Sequence, residues 1–230
     1  MYDVQFLIEN SNLPGPRGNL KLLYDFSKNA SEDIIDKCLE YIKPDVRNSP
    51  EEFVAMCGVL SFSTYNKNNL KKVIPFLKRT ANHGSWRVRE AVAIAIQEIF
   101  SDKVDTALDG LRSLIQGNDI ERRAVVAGLC EPKLLNNEDV NKKILDILLE
   151  LSKPFSHDNK LDEESTALRK ALGYGWSVVV SKGPENGKII FEELFELHGK
   201  HINWIIKENL KKNRLQKMDP EWVKQCLLKM

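Results

Sequence analysis

Cysteine is scarce in this sequence. Cys38, Cys57, Cys130 and Cys226 stand far apart among 230 residues, with no C-x-x-C pair. That spacing excludes a zinc ribbon and a disulfide framework, and leaves four small core hydrophobes suited to a reducing compartment. An excess of one charge is lacking too. Lys and Arg number 34 against 33 Asp and Glu, a formal net charge of +1. No global field therefore draws the chain to nucleic acid or to a membrane, although a local patch can act under a neutral total. No run of eighteen apolar residues occurs, so no membrane-spanning helix and no membrane partner are expected. The opening Met1-Tyr2-Asp3-Val4 lacks the basic-then-apolar layout of a signal peptide, and a soluble cytoplasmic protein is expected.

Motifs of catalysis are equally sparse. The four histidines, His83, His157, His198 and His201, show no metal-ligand spacing with acids or cysteines, so no metal is expected. His198 and His201 are three apart, but the intervening Gly199 marks a helix end. No serine sits in G-x-S-x-G, and Gly183-Pro184-Glu185-Asn186-Gly187 is no phosphate loop. Neither nucleophilic catalysis nor a cofactor is indicated. Sustained period-two alternation is missing as well, and Ser177-Val178-Val179-Val180 continues a helical pattern that starts at Leu168.

What the chain does contain is helical periodicity, with 42% apolar residues to build a continuous core. After a turn-rich connector at Asn12-Leu13-Pro14-Gly15-Pro16-Arg17-Gly18-Asn19, apolar stripes recur at Leu20, Leu22, Leu23 and Phe26, and again at Ile34, Ile35, Cys38, Leu39 and Ile42. Ser31 reads as the N-cap of this second stripe. Ser49-Pro50-Glu51-Glu52 supplies a cap, a first-turn proline and early acids, and so starts a helix. Further helices are expected from about Asn68 to Thr80, Trp86 to Phe100, around Leu108 to Ile115, and Glu138 to Ser152. The last third gives helices near 163–182, 185–199, 201–213 and 219–229, after a loop or hinge from Pro154 to Asp162. An all-α fold of about six helix pairs follows, as one domain over 1–230 with a softer N-terminal part over 1–48.

One phrase recurs on these helices: Val88-Arg89-Glu90-Ala91-Val92, Glu121-Arg122-Arg123-Ala124-Val125, Leu168-Arg169-Lys170-Ala171-Leu172 and, more loosely, Ile206-Lys207-Glu208-Asn209-Leu210. Its basic positions, 89, 122, 169 and 207, recur every 33, 47 and 38 residues. Periods of that size are the mark of an α-solenoid of HEAT-like or armadillo-type helix-pair repeats. The small residue lets neighbouring helices approach, and the aliphatics supply burial of about 1.5–3 kcal/mol per side chain. Two readings exist for the arginines. Their stems can pack while the guanidinium meets carbonyls or an acid of the next repeat, or Arg89, Arg122 and Arg169 can line a concave face as a basic ladder.

The stretches Ser85-Trp86-Arg87-Val88-Arg89, Asp119-Ile120-Glu121-Arg122-Arg123 through Gly128, Leu168 through Gly183-Pro184, and Trp204-Ile205-Ile206-Lys207 resemble the HEAT-like DNA alkylation repair family, the helical-repeat alkylpurine glycosylases. The resemblance covers about residues 80–215. It implies a concave face where an acid and aromatic residues act on a positively charged alkylated base. Residue by residue, the catalytic positions depart from that pattern. In one branch the acid falls on Ser85, a tryptophan near Leu135 and an aspartate on Val178; in the other the aspartate falls on Ala91, with Glu90 beside it. The resemblance thus implies the build without the active site, with Glu90 as the only catalytic candidate if the chain is a glycosylase.

Local charge and aromatics complete the candidate surface. From Lys200 to Met230 eight Lys or Arg face three acids, and Lys67, Lys71, Lys72, Lys78 and Arg79 form a second basic run. Trp86, Trp176, Trp204 and Trp222 fit core or inter-repeat packing, and Trp86 beside Arg87 is the one placed to touch a partner. The expected binding residues are Trp86, Arg87, Arg89, Arg122, Arg123, Arg169, Lys207, Lys211, Lys212 and Arg214. The expected function is a non-enzymatic binding module with a protein partner, and the alternative is a DNA-binding protein.

Overall fold

The computed structural model describes residues 2–101 and 104–230, and among them every regular element is helical. The chain divides into two compact units, Met1–Lys103 and Val104–Met230.

The first unit holds α1 (Val4–Glu9), α2 (Leu20–Asn29), α3 (Glu32–Leu39), α4 (Pro50–Tyr65), α5 (Leu70–Ala81) and α6 (Trp86–Ile99). Helix α4 is its axis. Pro50 opens it, where a missing N–H costs nothing, and Glu51 and Glu52 suit its positive end. Nearly all of its residues from Glu52 to Ser63 are buried, because α1, α2, α3 and α6 all lie against it. A helix apolar all round is what such enclosure demands. Helix α5 packs on α4 and α6, with Phe62 and Phe76 in ring contact at 4.3 Å. Asp3, Asn19, Asn69 and Ser85 cap α1, α2, α5 and α6 through their side chains, whereas Ser31 makes no side-chain cap bond to α3.

The second unit holds α7 (Val104–Gly110), α8 (Arg112–Ile115), α9 (Asp119–Leu129), α10 (Glu138–Ser152), α11 (Glu163–Lys182), α12 (Pro184–Glu192), α13 (Leu194–Leu197), α14 (Lys200–Leu210), α15 (Asn213–Met218) and α16 (Pro220–Leu228). Short 3₁₀ turns at Pro132–Leu134 and Lys153–Ser156 join the longer helices. Here α11 is the axis, packed along α9 and α14 and against α10 and α12.

Four consecutive residues explain how α11 receives so many neighbours. Successive side chains on a helix turn by about 100°, so Gly173, Tyr174, Gly175 and Trp176 point to four different sides. A Cβ on Gly173 would lie 2.7 Å from the Trp204 ring of α14, and one on Gly175 would lie 2.9 Å from Cys130 Sγ, just past α9. Both glycines are therefore places where a neighbour sits closer than any side chain allows. Trp176 points to the core, fully buried, with its indole N–H on Ser152 Oγ at 3.2 Å and its ring 5.7 Å from Phe191. Tyr174 is left pointing outward.

A buried amide pins α14 to α11. Asn209 Oδ1 accepts from Ser177 N at 2.8 Å, while its Nδ2 donates to the carbonyls of Leu172 and Ile205 at 2.9 and 2.8 Å. On the other flank, α16 docks on α12 through Glu192, which accepts from Trp222 Nε1 at 2.8 Å and from Lys229 Nζ at 2.5 Å. Those bonds, Lys229 first, hold the Glu192 carboxyl below the usual carboxylate range.

Three expected helices are shorter than their periodicity suggests. The 185–199 stretch splits into α12 and α13 and ends at His198 and Gly199, both at positive φ (53° and 94°). Gly199 can take that conformation and also lies against Ser156, whose carbonyl oxygen would be 2.7 Å from a Cβ. The 201–213 stretch ends at Leu210 and restarts as α15, and the Leu108 to Ile115 segment is two short helices, α7 and α8.

Gly to Ala on an exposed helix stabilises by about 1 kcal/mol. For Gly173→Ala and Gly175→Ala the expected sign is reversed, a loss of about 1–3 kcal/mol from overpacking. Guanidinium unfolding of each variant reads the sign, and a gain in stability at both positions would refute the close approach of α9 and α14.

Candidate binding surface

The outward side of α11 and the chain that follows α14 form the most distinctive surface of the second unit. Tyr174 is 48% exposed. Arg214, from α15, lays its guanidinium over the ring at 4.6 Å from the centroid and donates Nη2–H to the phenol oxygen at 2.7 Å. Lys212 brings Nζ to 5.8 Å from the same ring. The aromatic face thus holds one cation while a second stands beside it, each attracted by the ring quadrupole. The α14–α15 stretch adds Lys200, Lys207, Lys211 and Lys217 to these two, against Glu208 as its one acid. Glu208 is bound by Lys211 at 2.6 Å, and that contact holds its carboxyl below the usual range. Lys170, four residues before Tyr174 on α11, is exposed as well.

The arginines of the repeated phrase occupy a different kind of position. Arg122 donates Nε–H to the Ile115 carbonyl at 3.2 Å and pairs with Asp119 at 3.1 Å; Asp119 also accepts from Ser165 Oγ at 2.7 Å, tying α9 to α11. Arg169 lies over the Trp204 ring at 4.4 Å, with Nη1 2.9 Å from His201 Nδ1. Arginine can only donate, so His201 Nδ1 accepts and its proton sits on Nε2, which meets the Asn159 carbonyl at 2.8 Å. That relay runs from α11 through α14 to the loop after α10, and it is a brace between elements. Arg169 Nε is buried there without a hydrogen-bond partner.

In the first unit, Arg87 is buried rather than presented to a partner. Its Nη1 pairs with Glu52 Oε2 at 2.9 Å, and Nη2 donates to the Gly15 carbonyl at 2.5 Å. Ser85 Oγ donates to the other Glu52 oxygen and at the same time caps α6 by accepting from Arg87 N and Val88 N. Trp86 is 51% exposed, with the Arg87 guanidinium 4.6 Å from its ring centroid. Arg89, Glu90 and Arg123 are half-buried, and Lys207 is exposed. The structure gathers Lys207, Lys211, Lys212 and Arg214 along α14 and α15 beside α11, while Trp86, Arg87, Arg89 and Glu90 stand on α6 of the first unit.

Sequence reasoning passed over Tyr174 and Glu52. Glu52 sits in a first helical turn, where acids are ordinary, and its partner is 35 residues away. Tyr174 carried one local signal, a polar aromatic between two glycines inside a helix.

At the alignment positions expected to carry catalysis, Leu135, Val178 and Ala91 are buried in the packing, and Ser85 serves as a cap. All four cysteines are buried and unpaired. Burial pushes the thiols of Cys38 and Cys130 up to about 12 and that of Cys226 up to about 11, so none is a thiolate nucleophile near neutral pH. Among the described residues no group of three or more His, Cys, Asp or Glu is arranged to hold a metal ion, and no helix is long and apolar enough to cross a membrane. Comparison with protein-family models, with curated proteins and with solved structures finds no match to this chain.

Two outcomes follow from this geometry. Glu52→Ala leaves a buried guanidinium without its carboxylate and should cost about 3–5 kcal/mol, whereas the paired change Glu52→Leu with Arg87→Met should be near neutral; urea unfolding measures both, and a cost below 1 kcal/mol for the single change would contradict the buried pair. The native protein at pH 8 should leave all four thiols unmodified by a disulfide reagent over minutes and release all four on unfolding. Rapid native labelling of any cysteine would overturn that description.

Proposed function

We propose that this chain is a non-enzymatic binding module of HEAT-like helix-pair repeats, whose second unit grips an acidic segment of a protein partner. The repeat reading is supported by neighbour order: α2 packs on α4 and α4 on α6 in the first unit, and α9 on α11 and α11 on α14 in the second. Helices α3, α5 and α10 each pack on the member that follows them, as stacked pairs require, while α12 and α13 both intervene between α11 and α14, with α13 on α14. The observation that carries the binding reading is the Tyr174–Arg214–Lys212 cluster, an exposed aromatic ringed by cations in a stretch with one acid. An aromatic and an arginine together are the residues most enriched at protein-binding hot spots. The near-neutral total charge favours a protein partner, which needs only a local patch, over a long polyanion. Buried free cysteines fit a reducing compartment, and the module is assigned to the cytoplasm.

One observation favours a second reading, a DNA-binding protein related to the HEAT-like alkylation repair glycosylases. An exposed ring among cations is also the chemistry that stacks a base and neutralises phosphates.

Titration of the full chain with an acidic, aromatic-containing peptide and with duplex, branched and methylated DNA, at two salt concentrations, separates the readings. The expected result is saturable peptide binding weakened about tenfold by Arg214→Gln or Tyr174→Ala, an anchor-sized effect. Tighter binding to DNA with a steep salt slope would replace the protein partner by the second reading. Release of a methylated base, abolished by Glu90→Gln, would refute the non-enzymatic assignment. Binding unchanged in both surface variants would refute the site.

A further inference from the structure

A cavity of about 460 Å³ lies in the first unit, where the chain between α3 and α4 meets the break between α5 and α6. Its lining includes Arg47 and Arg79 and contains no Asp or Glu. Both arginines are exposed, so their guanidinium groups reach solvent and remain charged. Arg47 donates Nε–H to the Pro44 carbonyl at 3.0 Å, and its two terminal nitrogens make no hydrogen bond among the described residues. The Arg79 guanidinium has the Phe76 ring 5.7 Å away, and among the described residues it pairs with no carboxylate.

Several acceptors around this cavity are already occupied. The end of α5 would ordinarily turn negative carbonyls toward the site. Here Asn82 Nδ2 takes the Lys78 carbonyl at 2.9 Å, Asn82 N takes that of Arg79 at 3.2 Å, and His83 N takes that of Thr80 at 3.0 Å. On the opposite wall, His83 Nε2 meets the Lys43 carbonyl at 2.9 Å while its Nδ1 accepts from Ser85 N at 3.0 Å. That pairing makes His83 a strut, with Nδ1 accepting and Nε2 donating. What Arg47 and Arg79 bring to the cavity is donors and positive charge.

The position of Arg47 depends on an absent side chain. A Cβ on Gly84 would lie 1.9 Å from Arg47 Nη2, so the guanidinium occupies the space a side chain would fill. Glycine there lets the fork lie flat against the backbone and aim at the cavity.

We propose that this cavity binds a small organic phosphate monoester, its phosphoryl oxygens held by Arg47 and Arg79 and its organic part lying on Ile42 and Pro44. Two guanidinium groups present more donors than a planar carboxylate can accept, whereas a phosphate offers three oxygens and close to two negative charges at neutral pH. The cavity volume falls in the range of small-molecule sites and exceeds what a bare inorganic anion fills. This site belongs to the first unit and does not rest on the binding reading of the second.

The test is titration of the full chain with phenyl phosphate, inorganic phosphate and benzoate at low ionic strength, followed by calorimetry and by the amide NMR signals of Asn82, His83 and Gly84. The expected result is one saturable site for phenyl phosphate, at least about tenfold tighter than benzoate, with shifts at those three amides. Arg47→Gln and Arg79→Gln should each weaken binding about tenfold, Arg79→Lys less. Gly84→Ala keeps both arginines but displaces the Arg47 fork, and should weaken binding about fivefold with an unchanged thermal midpoint, since only the end of a flexible side chain must move. Lys212→Gln, in the second unit, should change nothing. Equal affinity for benzoate would overturn the phosphate assignment. Absence of saturable binding, or full affinity in both glutamine variants, would overturn the site.

Discussion

The second unit depends on how closely two helices can approach a third. Helix α11 carries glycine at 173 and 175, on opposite sides, and each meets an atom that a Cβ would strike: the Trp204 ring on one side, Cys130 on the other. Once α9 and α14 are seated that near, the residue between the glycines has only one direction left. Tyr174 is exposed because its neighbours on the helix are the contact points. Trp176, on the opposite side, anchors the same helix in the core. Packing therefore sets where the cations can gather, since Arg214 and Lys212 follow directly from the end of α14 and lie by the exposed Tyr174 ring.

Polar groups inside each unit do a second job, which is to set register. Apolar helices can slide with small loss, because many side-chain arrangements bury similar area. A buried Asn209 with three partners, or Glu52 with Arg87 and Ser85, makes its bonds in one alignment of the helices, although Arg87 Nε stays unpartnered. The Asn159–His201–Arg169–Trp204 relay acts the same way between α11, α14 and the loop after α10. Such pairs add little net stability against an apolar replacement. Their effect is to allow one alignment of the helices and make others costly.

The all-helical fold was legible in the sequence from periodicity and start signals, as at Ser49-Pro50, where α4 begins although Ser49 makes no side-chain cap bond. Of the small residues in the recurrent phrase, Ala91, Ala124 and Asn209 are buried, whereas Ala171 is half-buried. Burial of polar partners was not legible. Nothing local says that Arg87 will meet a glutamate 35 residues earlier, or that Arg214 will cover a tyrosine 40 residues earlier. Periodicity also overran the helix that stops at Leu197, because a glycine's need for positive φ shows only once the chain must reverse against Ser156. The anion-type cavity was invisible for the same reason. Its two arginines are 32 residues apart, and the feature that joins them is Gly84, in the gap between two expected helices.

The central claim is that the Tyr174 face of the second unit holds an acidic partner. Hydrogen exchange of the full chain, with and without a saturating acidic, aromatic-containing peptide, tests it most directly. The account predicts slowed exchange confined to the α11 segment around Tyr174 and to the stretch from Trp204 to Gln216, with the first unit unchanged. Protection elsewhere, or none at a concentration where the peptide is bound, would contradict it.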